Sequence, residues 1–324
     1  MDVPGDVPQV VHNLLVRSCL LTPFLGAASL HPGVERDVRG SSTGVGPEPQ
    51  RELVTCPVDG GIGSLSSIEG VRRAYARLAP SYDQFTAADD YESLSRIIDD
   101  LLVQYQRPGL ELLDVACGTG RSAYALHQRG YRVTACDVSE DMLHQADRKP
   151  LASHVRFFVA DMRHLPDVGT FDVVTCIDDA VNHLLTAEDV RLAFRSVRRL
   201  LKPGGLYLFD VNTITTYRTF WSQTAVSDCG DAFFARVGRT PPDIPRGGEA
   251  QFTLECFRHN RSQWDRSSVD LRQRHYDEDT IRRLLSQSGL TPVASAGLHE
   301  SGTVDRHINE DWHTKAIHIA RATD

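Results

Sequence analysis

The sequence predicts an α/β protein built on a doubly wound, mostly parallel sheet of seven strands, and three observations carry that reading. From Leu110 onward, short apolar runs alternate with amphipathic helical segments, the pattern of successive βαβ units. A glycine-rich turn, "CGTG" (Cys117–Gly120), separates the first run from the first helix after it. Each of the first four runs closes on an aspartate.

Residues 1–65 stand apart from this pattern. They are rich in Pro, Gly, Val and Ser, as in "RGSSTGVGPEPQ" (Arg39–Gln50), and show no sustained periodicity. Such a segment buries too little surface to offset its chain entropy, so it is expected to be a disordered extension. A start codon set too far upstream would account for it, although no methionine lies between Met1 and Met142. Residues 66–324 are expected to form the folded domain.

Within that domain, residues 66–106 hold two helices. "SIEGVRRAYARLA" and "YESLSRIIDDLLVQY" place apolar residues at helical spacing, and Pro80 interrupts between them. "LELLDVA" is the first strand, and "GRSAYALHQRG" a helix closed by Gly130. "YRVTACD" is the second strand, followed by "SEDMLHQADR", a helix that Ser139 can cap. "VRFFVAD" and "FDVVTCID" are the third and fourth strands. "TAEDVRLAFRSVRRLLKPGG" is a long helix with Thr186 as its cap and Pro-Gly-Gly as its stop. "GLYLFDVN" is the fifth strand. The alternation then breaks over residues 212–275, where "DAFFARVG" and "AQFTLECFRHN" flank "TPPDIPRGG". This segment reads as a small antiparallel patch inserted over one end of the sheet. "DEDTIRRLLSQSGL" is a last helix, and "TPVASAG" and "WHTKAIHIARA" complete the sheet.

The bulk properties exclude several classes. The net charge is -8, and no cluster of Lys and Arg offers a footprint for nucleic acid. Only Lys149, Lys202 and Lys315 are lysines. Seven scattered cysteines without a Cys-x-x-Cys pattern suggest neither a disulfide framework nor a zinc site. His299, His307 and His313 lack metal-ligand spacing, so no metal is expected. The apolar run Leu14–Leu30 is broken by Arg17, Thr22 and Pro23, which argues against a membrane span and against a signal peptide. A cytoplasmic location without a membrane partner is expected.

Ligands of open parallel sheets bind beyond the carboxyl ends of the strands. Those ends here carry Asp114, Asp137, Asp161 and the pair Asp178-Asp179. Gly118 and Gly120 let the backbone approach a ligand closely. Asp137 stands where an acid accepts hydrogen bonds from ribose hydroxyls. Asp161 with Met162 is placed to meet an adenine, and Asp114, deepest of all, to hold a cationic amine. Gly118-x-Gly120-x-x-Ala123 with Asp137 also suits a nicotinamide-dependent oxidoreductase, although Asp114 is a poor neighbour for a diphosphate. An inactive nucleoside-binding module is the other alternative.

"LLDVACGTG", "VTACDVSEDML", "FFVADMRHLP", "FDVVTCIDDAVNHL" and "LKPGGLYLFDVN" resemble, in order and spacing, the successive motifs of class I S-adenosylmethionine-dependent methyltransferases. The resemblance covers roughly Ile68 to Thr323. It implies a Rossmann-like seven-stranded sheet whose last strand is antiparallel, and S-adenosylmethionine as cofactor. A sulfonium and an ammonium tolerate the acidic rim that a diphosphate would not. By matching position, Asp114, Gly118 and Gly120 would line the amino acid end of the cofactor, with Asp178 near its amino group. Asp137 and Met142 would flank ribose and adenine, and Asp161 with Met162 would meet the adenine. "YARLAPSYDQF" is similar to the lid helices of small-molecule members, where Tyr75 and Tyr82 would fold over the methionine moiety.

His183 matches a histidine of amino-sugar N-methyltransferases and is the candidate base for an oxygen or nitrogen nucleophile. His275 with Tyr276 is a second, weaker pair. The serine pair of those enzymes is replaced here by Asp178-Asp179, which sets the amino-sugar acceptor itself in question. A small polar acceptor of specialised, antibiotic-type metabolism is the expectation.

Overall fold

The computed structural model describes residues 65–323 and, ahead of them, the two-residue strand β1 (Val54–Thr55). The extension expected over residues 1–65 otherwise lies outside the described residues. Helices α1 (Leu65–Leu78), α2 (Tyr82–Phe85) and α3 (Tyr91–Gln104) come first. A 3₁₀ turn at Ala79–Ser81 joins the first two where Pro80 denies the helix its next amide donor. Asp90 caps α3 by accepting from the Ser93 amide at 3.0 Å.

The alternating core follows as β2 (Glu111–Val115), α4 (Arg121–Gln128), β3 (Arg132–Asp137), α5 (Glu140–Asp147), β4 (Arg156–Val159), β5 (Phe171–Cys176), α6 (Ala187–Leu200) and β6 (Leu201–Asn212). Ser139 and Thr186 cap α5 and α6 as the sequence predicts, accepting from Met142 and Asp189 amides at 3.3 and 3.0 Å. The Pro-Gly-Gly stop takes a different form. The strand starts at once at Leu201, and Lys202–Gly205 bulges inside it, so that Phe171 pairs with Leu201 but Val173 with Leu206. Gly204, at φ +73°, makes that bulge possible.

After α7 (Ile214–Thr219), the insertion is a complete four-stranded antiparallel sheet rather than a two-strand patch. Its strands are β7 (Ala225–Asp228), β8 (Ala232–Gly238), β9 (Glu249–Asn260) and β10 (Gln263–Arg274), in spatial order β10-β9-β8-β7. The chain closes with α8 (Glu278–Gln287), β11 (Leu290–Leu298), β12 (Val304–Asp305) and β13 (Lys315–Ala322).

The main sheet runs β1-β4-β3-β2-β5-β6-β13-β11-β12. Its seven central strands are those expected, and the two-residue strands β1 and β12 extend its edges. β13 lies antiparallel to both β6 and β11, while the pairs from β4 to β6 are parallel. β5 is buried along its whole length, as a strand covered on both faces must be.

Three hydrophobic clusters organise the packing. One lies under α6 and α8, where Val190, Ala193, Phe194 and Val197 turn a single helical stripe inward. The second, on the opposite face, lies under α3, α4 and α5. The third joins Ala74 and Leu78 of α1 to Tyr217, Trp221, Phe234, Phe252 and Leu271. The helices before the sheet and the sheet inserted late in the chain therefore share one core, which roofs the carboxyl ends of the parallel strands. Among the described residues, no helix is long and apolar enough to cross a membrane.

The turn after β2 depends on Gly120. Its φ is +78°, and a Cβ would stand 3.1 Å from Ala146 Cβ and from Tyr124 Cε2, and 3.3 Å from Phe157 Cζ. Left-handed strain and overpacking act together, so Gly120→Ala is expected to lower stability by about 2–4 kcal/mol in urea denaturation. A loss well under 1 kcal/mol would show that the turn relaxes around the methyl group.

Candidate active site

A cavity of about 850 Å³ opens over the carboxyl ends of β2, β3 and β4 and beneath the helices that precede the sheet. Of the residues singled out in the sequence, Tyr75, Tyr82, Gly118, Asp137, Met162, Asp178 and His183 line it. Asp114, Gly120, Met142 and Asp161 do not line it, and Asp179 lines a second cavity.

Asp137 ends β3, and its carboxylate is fixed from both sides by backbone donors. The Gly118 amide reaches Oδ2 at 2.8 Å, and the Ser139 amide reaches Oδ1 at 2.8 Å. Burial pushes its carboxyl above the usual range, and these amides pull it back. Gly118, at φ +54°, turns its missing side chain toward the cavity, where a Cβ would approach the Tyr82 ring at 3.9 Å. The left-handed φ, rather than crowding, is what favours glycine here.

Asp114 is fully buried beneath this turn. Ser122 donates to its Oδ2 at 2.6 Å and Thr175 to its Oδ1 at 2.8 Å. Burial raises its carboxyl to about 6 despite these two hydroxyls. Asp161 accepts from the Arg163 amide at 2.9 Å and from its guanidinium, which also reaches Asp189 at 2.7 Å. That buried triad fixes the loop presenting Met162. Met142 is wholly buried in the core shared by the roof, and Gly120 serves the close packing of α4 on α5.

Tyr75 and Tyr82 meet edge to face, with ring centroids 6.0 Å apart. The Tyr75 hydroxyl lies 2.9 Å from His183 Nε2. His183 ends a 3₁₀ turn at Ala180–His183 whose position is set by Asn182, which donates to the Arg274 carbonyl at 2.8 Å and accepts from the Asn212 amide at 2.9 Å. His183 Nδ1 faces the Arg272 carbonyl at 3.0 Å. A carbonyl only accepts, so the proton sits on Nδ1 and Nε2 carries the lone pair. Burial lowers the imidazole below its usual value, opposed by Asp179 and the Arg272 carbonyl. The ring is neutral near pH 7.

A second cavity, of about 1,020 Å³, lies on the other side of Tyr75, Tyr82, Asp178 and His183. Phe220, Trp221 and Phe252 form its aromatic wall, and Gln273, Asn212 and Lys315 bring polar groups to its floor. Lys315 was not singled out in the sequence. Its ammonium meets Asp179 at 2.8 Å, Asp210 at 2.9 Å and Asp178 at 3.3 Å. Burial alone would lower the ammonium, and Asp179, Asp210 and Asp178 more than reverse this. Tyr91 donates to the other oxygen of Asp178. No local signal marks Lys315, which stands more than a hundred residues from each partner.

His275 and Tyr276 line neither cavity. His275 faces Glu310 at 3.3 Å, and the Tyr276 hydroxyl donates to the Leu184 carbonyl. Cys117, Cys136 and Cys176 are buried, and burial pushes all three thiols up. Among the described residues, no group of three or more His, Cys, Asp or Glu side chains is gathered to hold a metal ion.

These residues fit S-adenosylmethionine. Asp137 and Asp178 bring carboxylates to the cavity wall that a cationic, hydroxyl-bearing nucleoside could engage, and Val138, Ala160 and Met162 add apolar lining beside them.

Comparison with known proteins agrees. A family model described as a methyltransferase domain matches residues 112–205. A protein of Geobacillus sp. (strain WCH70), named as a methyltransferase, is 33% identical over 222 residues, which cover 67% of this chain and 89% of that protein. The next two curated relatives are matched over 56% of their own length. Among solved structures, an S-adenosylmethionine-dependent methyltransferase from Clostridium acetobutylicum superposes with a TM-score of 0.65 at 22% identity, covering 77% of this chain and 99% of that one. The sugar N-methyltransferase KedS8 from Streptoalloteichus superposes with a TM-score of 0.57 at 17% identity, covering 85% of this chain and all of that one, at 100%. At these identities the two structures bear on the fold.

The raised carboxyl of Asp114 has a consequence for stability. The folded state holds this proton more tightly than the unfolded chain, so the stabilisation is complete below pH 3.8 and is lost as pH rises through about 6. Asp114→Asn removes the dependence. Relative to the variant, the wild type is expected to lose about 2–3 kcal/mol between pH 4 and pH 7 in chemical denaturation without ligand. Parallel curves for the two proteins would contradict this.

Proposed function

The chain belongs to the S-adenosylmethionine-dependent methyltransferases, and on that premise we propose that it methylates a nitrogen or oxygen of a small polar molecule in specialised, antibiotic-type metabolism. The observation that carries this reading is the wall shared by the two cavities. Tyr75, Tyr82, Asp178 and His183 line both, so that wall is where two bound molecules would meet. The mix of aromatic and polar groups around the larger cavity suits a ring bearing hydroxyl or amino groups. The fold shared with KedS8, itself named a sugar N-methyltransferase, supports an acceptor of that kind.

S-adenosylmethionine, when bound, supplies an electrophilic methyl group on a sulfonium. The protein contributes position and proton handling. Asp137, with Gly118 at its back, would hold the ribose. Asp114 would act from behind the turn toward the amino acid end, and Asp178 from the acceptor side. Asp161 would hold Met162 against the adenine through its bond to Arg163. Tyr75 and Tyr82 close over the reacting pair and exclude water. His183 presents the Nε2 lone pair beside the shared wall and takes the proton that an oxygen or ammonium acceptor must lose. Alignment of acceptor and methyl in this enclosure is worth ~7–11 kcal/mol in favourable cases.

Calorimetry with S-adenosylhomocysteine tests the cofactor assignments. Asp137→Ala is expected to weaken binding at least tenfold, and NAD is expected not to bind. Tight NAD binding with none of the homocysteine nucleoside would overturn the reading. With an acceptor found by screening amino and hydroxylated sugars, His183→Ala should lower turnover by about 10²–10⁴-fold while costing little nucleoside affinity. Full turnover in that variant would make His183 a structural residue.

A further inference from the structure

We propose that Lys315 is a positioning residue for His183, acting through Asp179 and Gln273 to keep the imidazole lone pair on Nε2, the atom that meets Tyr75 and Gln273 at the wall between the two cavities. The proposal rests on reading His183 as the base.

Lys315 opens β13, opposite Asn212 of β6. Its ammonium has three protons and three carboxylate partners, on Asp178, Asp179 and Asp210. Asp179 stands in a left-handed conformation, φ 51°, as does Asp178 at φ 63°. Aspartate tolerates this region but does not prefer it, so the turn needs fixing from outside. Lys315 supplies that constraint at Oδ1 of Asp179. The second oxygen, Oδ2, accepts from the Gln273 amide nitrogen at 2.6 Å.

Gln273, wholly buried on β10, can take only one orientation. Its amide oxygen accepts from Asn212 at 2.9 Å and from the Tyr217 hydroxyl at 3.0 Å. Its nitrogen gives one proton to Asp179, and the other lies toward His183 Nε2 at 3.2 Å. A donor aimed at Nε2 is compatible only with a lone pair there, and the Arg272 carbonyl at Nδ1 demands the same tautomer. Asn212 and Tyr217 hold the Gln273 oxygen and Asp179 holds its nitrogen, so the amide presents an N–H, not its oxygen, to Nε2.

The groups around the imidazole are Tyr75 from α1, the Arg272 carbonyl and Gln273 from β10, and Asp179 from the preceding turn. Asp178, Asp210 and Lys315 complete the nearby charge. Without the ammonium, three carboxylates would face one another across this floor. Their attraction would then pull a proton onto His183.

The test is side-chain ¹⁵N NMR of the full-length chain, with and without S-adenosylhomocysteine, using the histidine signals missing from His183→Asn as the assignment. The wild type should show a protonated Nδ1 and an unprotonated Nε2. Lys315→Met should raise the titration midpoint of His183 by about one pH unit or more, whereas Lys315→Arg should stay near the wild type. Gln273→Leu, which leaves the lysine cluster intact but removes the donor beside Nε2, should shift the ¹⁵N resonance of Nε2 while Nδ1 stays protonated on the Arg272 carbonyl. This variant decides the question should Lys315→Met fail to fold. Wild-type ¹⁵N shifts in a folded Lys315→Met or in Gln273→Leu would overturn the proposal, because a purely structural lysine would alter stability and not the ¹⁵N shifts of the ring. Full turnover in His183→Ala alongside the expected ¹⁵N changes would remove the base and leave the lysine's hold on the ring in place.

Discussion

Carboxylates gathered at low solvent exposure repel one another and lose hydration, so the carboxyl edge of this sheet exists only because each acid meets donors. Asp137 has two backbone amides, Asp114 two hydroxyls, Asp161 the Arg163 guanidinium, and Asp178, Asp179 and Asp210 share Lys315. The way each is matched decides what it can do. Backbone amides leave Asp137 with lone pairs free for a ligand. The guanidinium engages both oxygens of Asp161, so that residue shapes a loop. Neutral hydroxyls leave Asp114 with its carboxyl raised, and a cation arriving above the turn would favour its ionised form.

The same constraint explains why the roof is made of two distant pieces. Acids surrounded by donors still need water excluded for electrostatics to act strongly. Here α1 with α2 and the inserted sheet pack against each other. Together they bury Leu78, Tyr217, Trp221, Phe252 and Leu271 in one cluster, and His183 sits where both meet the parallel strands.

The alternating core was legible because its signals are local. Apolar runs, caps at Ser139 and Thr186, and aspartates at strand ends sit beside the elements they define. The inserted sheet was half legible for the same reason. β10 turns only Val269, Leu271 and Gln273 to the inside within a polar run, and the tight turn before it uses Arg261 at φ +55° in place of a glycine or asparagine. Lys315 was illegible because its meaning is wholly tertiary. A lysine at the start of a closing strand looks like an ordinary solvated end until β13 slots between β6 and β11 and sets it against Asp210. Asp161 shows the converse case, since an acid at a strand end signals a rim position but not which neighbour will claim it.

The glycine turn links these parts, because the residues flanking its ligand face also hold the roof. Thr119 donates to Asp83 at 2.5 Å, and Lys149 pairs with the same carboxylate at 2.7 Å. Arg121, one residue past Gly120, reaches the Thr86 hydroxyl and the Asp89 carbonyl, each at 2.8 Å, and lies 4.4 Å from the centre of the Tyr91 ring. Tyr91 in turn donates to Asp178, whose other oxygen meets Lys315. A continuous set of contacts thus runs from the glycine turn through the helices above it to the floor of the second cavity. The stretch Cys117–Arg121 therefore both forms the turn at Gly118 and, through Thr119 and Arg121, fixes the segment Asp83–Asp89 that follows Tyr82.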